Sequence, residues 1–251
     1  MDEILEYLED DRPTLGACSL TCKALLRSSR PIIHRRLCVV SRGMRLPGTK
    51  NEHEAQFPTL SAAAERGLTH YTRKLTIKIG KDSFRPVDLQ PYLPQFQTFS
   101  RLTSLILHNF KPAPFLPVFE QYFGHLAQQM QSLEFIFPSG PRDDILCFIS
   151  HFPNLDDLRF NSFPRHFQFP HEVYSAPSIR SSPTLRGTLQ VASLTADGDD
   201  FLECLARFPS GLGFHSTGFH RCTGIDPNII IQECSSTLQC LTHTTHISEF
   251  P

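Results

Sequence analysis

Tryptophan is missing from this 251-residue chain, although phenylalanine occurs 21 times and proline 20 times. Net charge is missing too. The 24 basic and 25 acidic side chains leave −1, which gives no global electrostatic case for nucleic acid or for an acidic membrane surface. No apolar run approaches the ~18 residues of a membrane span. Asp2, Glu3, Glu6 and Glu9 stand where a secretory signal needs basic residues and an apolar core. Eight cysteines are scattered too thinly for a small disulfide scaffold, so they read as reduced thiols of a cytoplasmic or nuclear protein.

Catalytic signatures are also lacking. There is no G-x-S-x-G, no P-loop and no H-E-x-x-H, and "GLGFHSTG" lacks the strand–turn–helix setting of a dinucleotide loop. Cys234, Cys240, His243 and His246 bring metal-ligating types together, but outside finger spacing and on alternating sides of a strand. His215, His220 and Cys222 likewise follow no metal motif. Cys18 and Cys22 lie four apart on one helix face with no second pair, and read as core thiols. Cys147 and Cys204 fall in helical apolar runs and are expected buried and inert. The chain is therefore expected to be no enzyme and to need no cofactor or metal.

What is present begins with "DEILEYLEDDRPTLGACSLTCKALLRSSRPIIHRRL". Ile4, Leu5, Tyr7 and Leu8 recur at helical spacing. "EDDRPT" stops that turn, with Asp11 as a cap for the next helix and Pro13 in its first turn, where a missing N–H costs nothing. Leu15, Ala17, Cys18, Leu20 and Cys22 carry the second helix inward. Leu25 and Leu26 continue the apolar set, and "RSSRP" closes it before Ile32 and Ile33. A package of forty residues has little core of its own and should lean on the rest of the chain or on a partner.

This stretch resembles the F-box of fungal F-box proteins, with an acidic first helix, a Cys-Ser-Leu-x-Cys-Lys core and a closing Arg. The resemblance covers residues 1–40. It implies binding to the Skp-type adaptor of a Skp–cullin–F-box ubiquitin ligase through apolar helix faces. The matching apolar positions are Ile4, Leu5, Leu8, Leu15, Cys18, Leu20, Cys22 and Leu25. Two departures stand out. The Leu-Pro pair that leads into the family's first helix is missing, which predicts weakened adaptor contact. The Trp common after the Cys-Lys core is also missing, and Leu25 lies near that place.

From residue 74 onward, Leu- and Phe-rich runs recur, among them "KLTIKI", "LTSLILHNF", "MQSLEFIF" and "LDDLRFNSF". Their leading leucines, Leu75, Leu105, Leu133, Leu158, Leu189, Leu212 and Leu241, are separated by 30, 28, 25, 31, 23 and 29 residues. Several runs obey L-x-x-L-x-L, and helical patterns such as "DDILCFISHF" and "DDFLECLARF" lie between them. Asp143 and Asp144, Asp199 and Asp200, and Asp226 before Pro227 mark helix starts. A strand plus a helix at an irregular period in the twenties reads as degenerate leucine-rich repeats. The expected fold is thus α/β: a three-helix F-box-like module over 1–40, then an irregular repeat solenoid with a curved parallel sheet over 41–251. A generic doubly wound α/β fold is the alternative. The array is expected to end on a strand without a capping repeat.

Two segments break the repetition, a polar one at 41–61 leading to a helix near Leu60–Arg66, and a Pro/Ser/aromatic one at 163–184. Ser175, Ser178, Ser181 and Ser182 in the latter are candidate phosphate acceptors near Arg180 and Arg186. In an L-x-x-L-x-L strand the residues between and after the leucines leave the core and line up from repeat to repeat. They are Ile106 and His108, Glu134 and Ile136, Arg159 and Asn161, Gln190 and Ala192, His215 and Thr242. That mixed row suits a protein substrate, through His108, Glu134, Arg159, Asn161, Gln190, His215 and Thr242. Partners expected are the adaptor, its cullin complex and an unidentified protein substrate, with no nucleic acid and no membrane. The rival is a stand-alone repeat scaffold with a degenerate box.

Overall fold

A computed structural model describes residues 5–40, 54–79, 90–113, 115–138, 140–162, 184–194, 199–208, 210–222 and 226–244. The chain divides into two compact units, Met1–Ser104 and Leu105–Pro251. Residues 5–40 thus share a unit with the chain that follows them up to Ser104.

The described part of the first unit begins on helical Leu5 and Glu6, and turns follow over residues 7–10. Leu8 N–H donates to the Leu5 carbonyl at 3.1 Å, and Asp11 N–H to the Leu8 carbonyl at 2.9 Å. Helix α1 (Arg12–Thr21) then starts as its sequence asks. Asp11 Oδ1 accepts the Thr14 N–H at 3.2 Å, and Pro13 occupies the first turn. Helix α2 (Lys23–Ile33) starts on Cys22, whose Sγ accepts the Leu25 N–H. It runs through Pro31 rather than stopping at "RSSRP". So near the helix end the ring forfeits only a terminal hydrogen bond, while the extra turn buries Ile32. Leu5, Leu15 and Ile32 form a small core, packed round by Leu8, Cys18, Leu25 and Ile33.

Ion pairs tie this core's acidic turn to the chain beyond it. Arg35 reaches Glu9 at 2.7 Å and Glu6 at 3.3 Å, and Arg36 reaches Glu9 at 3.2 Å and Asp10 at 2.9 Å. Partial burial pulls the Arg35 pKa down, but the hydrogen bonds and charges of Glu9 and Glu6 outweigh it and leave it above its ordinary value. Strand β1 (Arg36–Val40) follows directly. It runs parallel to β2 (Glu54–Gln56) on one side and β3 (Lys74–Lys78) on the other. Helix α3 (Phe57–Glu65) lies between β2 and β3 in sequence, as the segment near Leu60 predicts. Residues 41–53 of the polar segment lie outside the described residues.

The second unit repeats one device. Its elements are β4 (Ser104–His108, whose first residue closes the preceding unit), α4 (Phe119–Ala127), β5 (Ser132–Ile136), α5 (Arg142–Ser150) and β6 (Asp157–Asn161). There follow β7 (Leu185–Ala192), α6 (Asp199–Ala206), β8 (Leu212–His220), α7 (Asn228–Glu233) and β9 (Cys240–Thr244). Strands β4 to β9 lie side by side in chain order, and β5 to β9 pair in parallel. The sheet is open at its ends, so it is no barrel. Its order never reverses within this unit, so it offers no switch-point crevice of the kind nucleotides occupy in doubly wound sheets.

Strand burial alternates, buried at Leu133 and Phe135, Leu158 and Phe160, Leu189 and Val191, with half-buried or exposed residues between. One face is therefore covered and the other open. Phenylalanines fill the covered side: Phe135 stacks on Phe160 at 5.5 Å, Phe148 meets Phe135 edge-on, and Phe201 meets Phe160 at 4.7 Å. Asp143 and Asp144 sit in the first turn of α5 rather than capping it, a task left to Pro141 without a side-chain bond.

Each strand exit is clasped to its neighbour. Asn109, Phe137, Ser162, Ser193 and Arg221 directly follow β4 to β8, and all are left-handed, with φ between 50° and 58°. Their N–H groups donate to the final carbonyls of the next strands, on Ile136, Asn161, Ala192, His220 and Thr244, at 2.8–3.0 Å. None is glycine, so the left-handed turn is held by this repeated hydrogen bond against an intrinsic cost of roughly 1–2 kcal/mol per residue. One irregularity interrupts the pattern. The β7–β8 register shifts between Gly187 and Thr188, where His215 is an extra residue in β8.

Candidate functional site

The open face of the second unit's sheet is built from the residues that alternation turns away from the phenylalanines. Strand register sorts them into rows. Glu134 lies opposite Arg159, Arg159 opposite Gln190, Gln190 opposite Gly218, and Gly218 opposite Thr242. In the next row Ile136, Asn161, Ala192, His220 and Thr244 are neighbours. The Asn109 clasp to Ile136 sets His108 at the head of that second row. Of the substrate-facing residues expected from sequence, Glu134, Arg159, Gln190 and Thr242 thus share one row, and His108 and Asn161 share the adjacent one.

His215 does not join them. Counting from Leu212 presumes a uniform repeat, but the bulge opposite Gly187 and Thr188 absorbs His215. The residue in phase with Leu189 and Leu241 is Thr217. The positions that sequence counting misses are therefore Ser216, Gly218 and His220. No residue pattern in β8 announces the bulge. Its marker lies in β7, where Gly187 has φ 85° and a Cβ would overlap the Asp156 backbone carbonyl.

The centre of the face is electrostatically fixed. Arg159 Nε donates to both Asp157 oxygens, at 2.9 and 3.0 Å, and Ser132 Oγ bonds Asp157 at 3.1 Å. The hydrogen bond to Asp157, and then the charges of Asp157 and Glu134, hold the guanidinium above its ordinary pKa despite partial burial. Asp157 stands two residues before Arg159, hence on the same face, and the D-x-R spacing was readable in the sequence. Gln190 lies beside Arg159 in its row, and Ile136, Asn161 and Ala192 form the adjacent row. At the exit edge Phe137 is 37% exposed. Such a face can hydrogen-bond and pair with a macromolecular surface.

The N-terminal positions separate into two groups. Leu5 and Leu15 are core, and Leu8, Cys18 and Leu25 pack against that core. Leu20 instead points outward at 88% exposure, and Cys22 is exposed at a helix start rather than being a core thiol. Tyr7 at 91% and Leu26 at 44% are exposed with it, and of these Leu20 and Leu26 depart from the apolar set read as running inward. Ile4 lies outside the described residues. Tyr7, Leu20 and Leu26 are three of five large apolar side chains exposed among the described residues.

The thiols follow burial rather than motif. Cys222 and Cys234 are buried, and burial pushes both pKa values up. Cys147 and Cys204 are only half-buried, although burial and then Asp144 also raise Cys147. Cys240 and His243 lie on exposed β9, and His246 lies outside the described residues. Among the described residues no three His, Cys, Asp or Glu side chains converge as metal ligands would, and no helix is long and apolar enough to cross a membrane. The serines of segment 163–183 also lie outside the described residues. Set against protein-family models, curated proteins and solved structures, the chain finds no match in any of the three.

Proposed function

We propose that this chain is a substrate-receptor subunit of a Skp–cullin–F-box ubiquitin ligase, acting in the cytoplasm or nucleus. Residues 1–40 would be an F-box that binds the adaptor, and the strand–helix units that follow would be leucine-rich-repeat-like and hold a protein substrate. The subunit performs no chemistry. It tethers, raising the effective concentration of a bound target beside the ligase. Support for the box comes from its sequence resemblance. Support for the substrate surface comes from the open sheet face, where regular parallel register lines up Glu134, Arg159 and Gln190.

The observation that carries the adaptor half is the outward exposure of Leu20 and Tyr7 beside a filled core of Leu5, Leu15 and Ile32. A folded helix pair that leaves such side chains in water has apolar surface to offer a partner. Co-expression of the full chain with a Skp-type adaptor tests it. Leu20→Glu should cut adaptor recovery at least tenfold without altering the circular dichroism of the chain, because Leu20 contributes nothing to the core. Equal recovery of wild type and variant would remove the adaptor half. Recovery of substrate with no adaptor would leave a repeat scaffold.

A further inference from the structure

The open face of the second unit carries two charges of opposite sign that no ion pair answers among the described residues. Arg159 is committed to Asp157 at 2.9 Å, so Glu134 feels that guanidinium without an ion pair of its own. Arg186 is exposed, and no carboxylate of the described residues pairs with it. Burial alternates along β7 at Leu185, Gly187, Leu189 and Val191, which leaves Arg186 on the side of Thr188 and Gln190. Its Cγ lies 3.6 Å from where a Cβ of Gly213 would stand. Gly213 is flanked by buried Leu212 and Phe214, so that position belongs to the open face as well.

Register fixes how far apart the two charges are. Gln190 shares a row with Glu134, with β6 between them, and Arg186 precedes Gln190 by four residues. With strands ~4.8 Å apart and a rise of ~3.3 Å per residue, the Cα atoms of Glu134 and Arg186 are separated by roughly 16 Å on a diagonal. The middle of that diagonal falls on Asp157, which stands opposite Ser132 and Thr188 and whose charge Arg159 already answers. The unanswered charges thus sit at the two ends of a strip. The side chains of Thr188 and Gln190 lie beside it without a hydrogen-bond partner among the described residues. An extended segment has backbone N–H and C=O groups to give them, whereas a helix has spent its own.

We infer that the substrate segment this face takes is an extended stretch with one basic and one acidic side chain, the basic one set on Glu134 and the acidic one on Arg186. Alternate residues of an extended chain share a side, so the pair must stand an even number of positions apart. Four positions span ~13 Å and six span ~20 Å, and the long side chains make up the difference from either value. A segment with the two charges exchanged end for end can bind in the opposite direction, but one carrying two like charges meets repulsion at one end. The inference rests on the reading of this face as the substrate surface and is independent of the box.

A random dodecapeptide library displayed on phage, panned on the full chain, tests it. Enriched sequences should carry Lys or Arg four or six positions from Asp or Glu. For one such synthetic peptide followed by fluorescence anisotropy, Glu134→Lys and Arg186→Glu should each raise Kd at least tenfold. Circular dichroism should stay unchanged, since both side chains lie outside the core. Exchanging the peptide's basic residue for Glu should restore binding to Glu134→Lys and not to Arg186→Glu. Exchanging its acidic residue for Lys should do the converse. Binders without that spacing, binders indifferent to both substitutions, or no binders at all overturn the inference. The face itself is lost as the substrate surface only if combined Glu134→Arg and Arg159→Glu substitution also leaves recovery of native protein partners undiminished.

Discussion

Gly187 meets two constraints that no other residue type can satisfy together. Its φ of 85° is left-handed, and any Cβ would run into the Asp156 carbonyl, which itself accepts the Thr188 N–H at 2.7 Å. Gly211 is also left-handed but faces open space, so only its backbone preference is at stake. Gly187→Ala should therefore lower stability by about 3 kcal/mol, and Gly211→Ala by about 1 kcal/mol. Urea unfolding followed by fluorescence or circular dichroism measures both. Equal midpoints for the two variants would show that the close approach to Asp156 is not held in solution. Neither constraint was readable beforehand, since "LRGTL" states that a glycine is present but not which carbonyl comes near it. The same holds for Phe137 and Arg221, whose left-handed turns arise from clasps between strands and not from local residue preference.

Helix α1 shows what sequence does convey about an element. Asp11, Pro13 and the apolar positions that follow specify its start, because cap chemistry involves only neighbours in the chain. Thr14's hydroxyl and then its N–H hold the Asp11 carboxyl below its usual value. A depressed folded pKa means that the bond's stabilisation is present above the unfolded carboxylate value of roughly 3.9 and is lost as pH falls through the folded value. Asp11→Ala should lower the melting temperature at pH 7, and the gap to wild type should close as the pH drops below about 4. Asp11→Ser, which still accepts from the first turn, should recover much of the loss. A gap independent of pH would rule out the carboxylate as the capping group. The helix faces were harder to read. Leu15 and Leu20 look alike in an apolar pattern, but Leu15 packs on Leu5 and Ile32, whereas Leu20 meets water. Strands were plainer, since period-two alternation places Leu133, Phe135, Leu158 and Phe160 inside. That reading loses phase only in β8, where a long-range bulge inserts His215.

At the scale of the whole molecule, the proposed binding surface consists of rows of side chains that no single strand possesses. Glu134, Arg159 and Gln190 come from three separate strands, and parallel register makes them neighbours. Arg159 is pinned by Asp157, so reversing its charge should leave three clustered carboxylates on the face. The cost to folding should be about 1 kcal/mol or less, as for exposed pairs generally. Combined Glu134→Arg and Arg159→Glu substitution should therefore keep the unfolding midpoint nearly unchanged while reducing recovery of protein partners from native cells at least tenfold. Undiminished recovery, quantified by mass spectrometry, would move substrate binding off this face.

The strand-exit clasps have a practical corollary. Ser162 still donates to Ala192, and Arg159 still opposes Gln190, although residues 163–183 intervene between β6 and β7. Alignment across that junction is thus held by bonds between the strands themselves. A fluorescent reporter spliced into the connection should therefore leave Arg159 and Gln190 side by side, with an unfolding midpoint close to that of the parent chain.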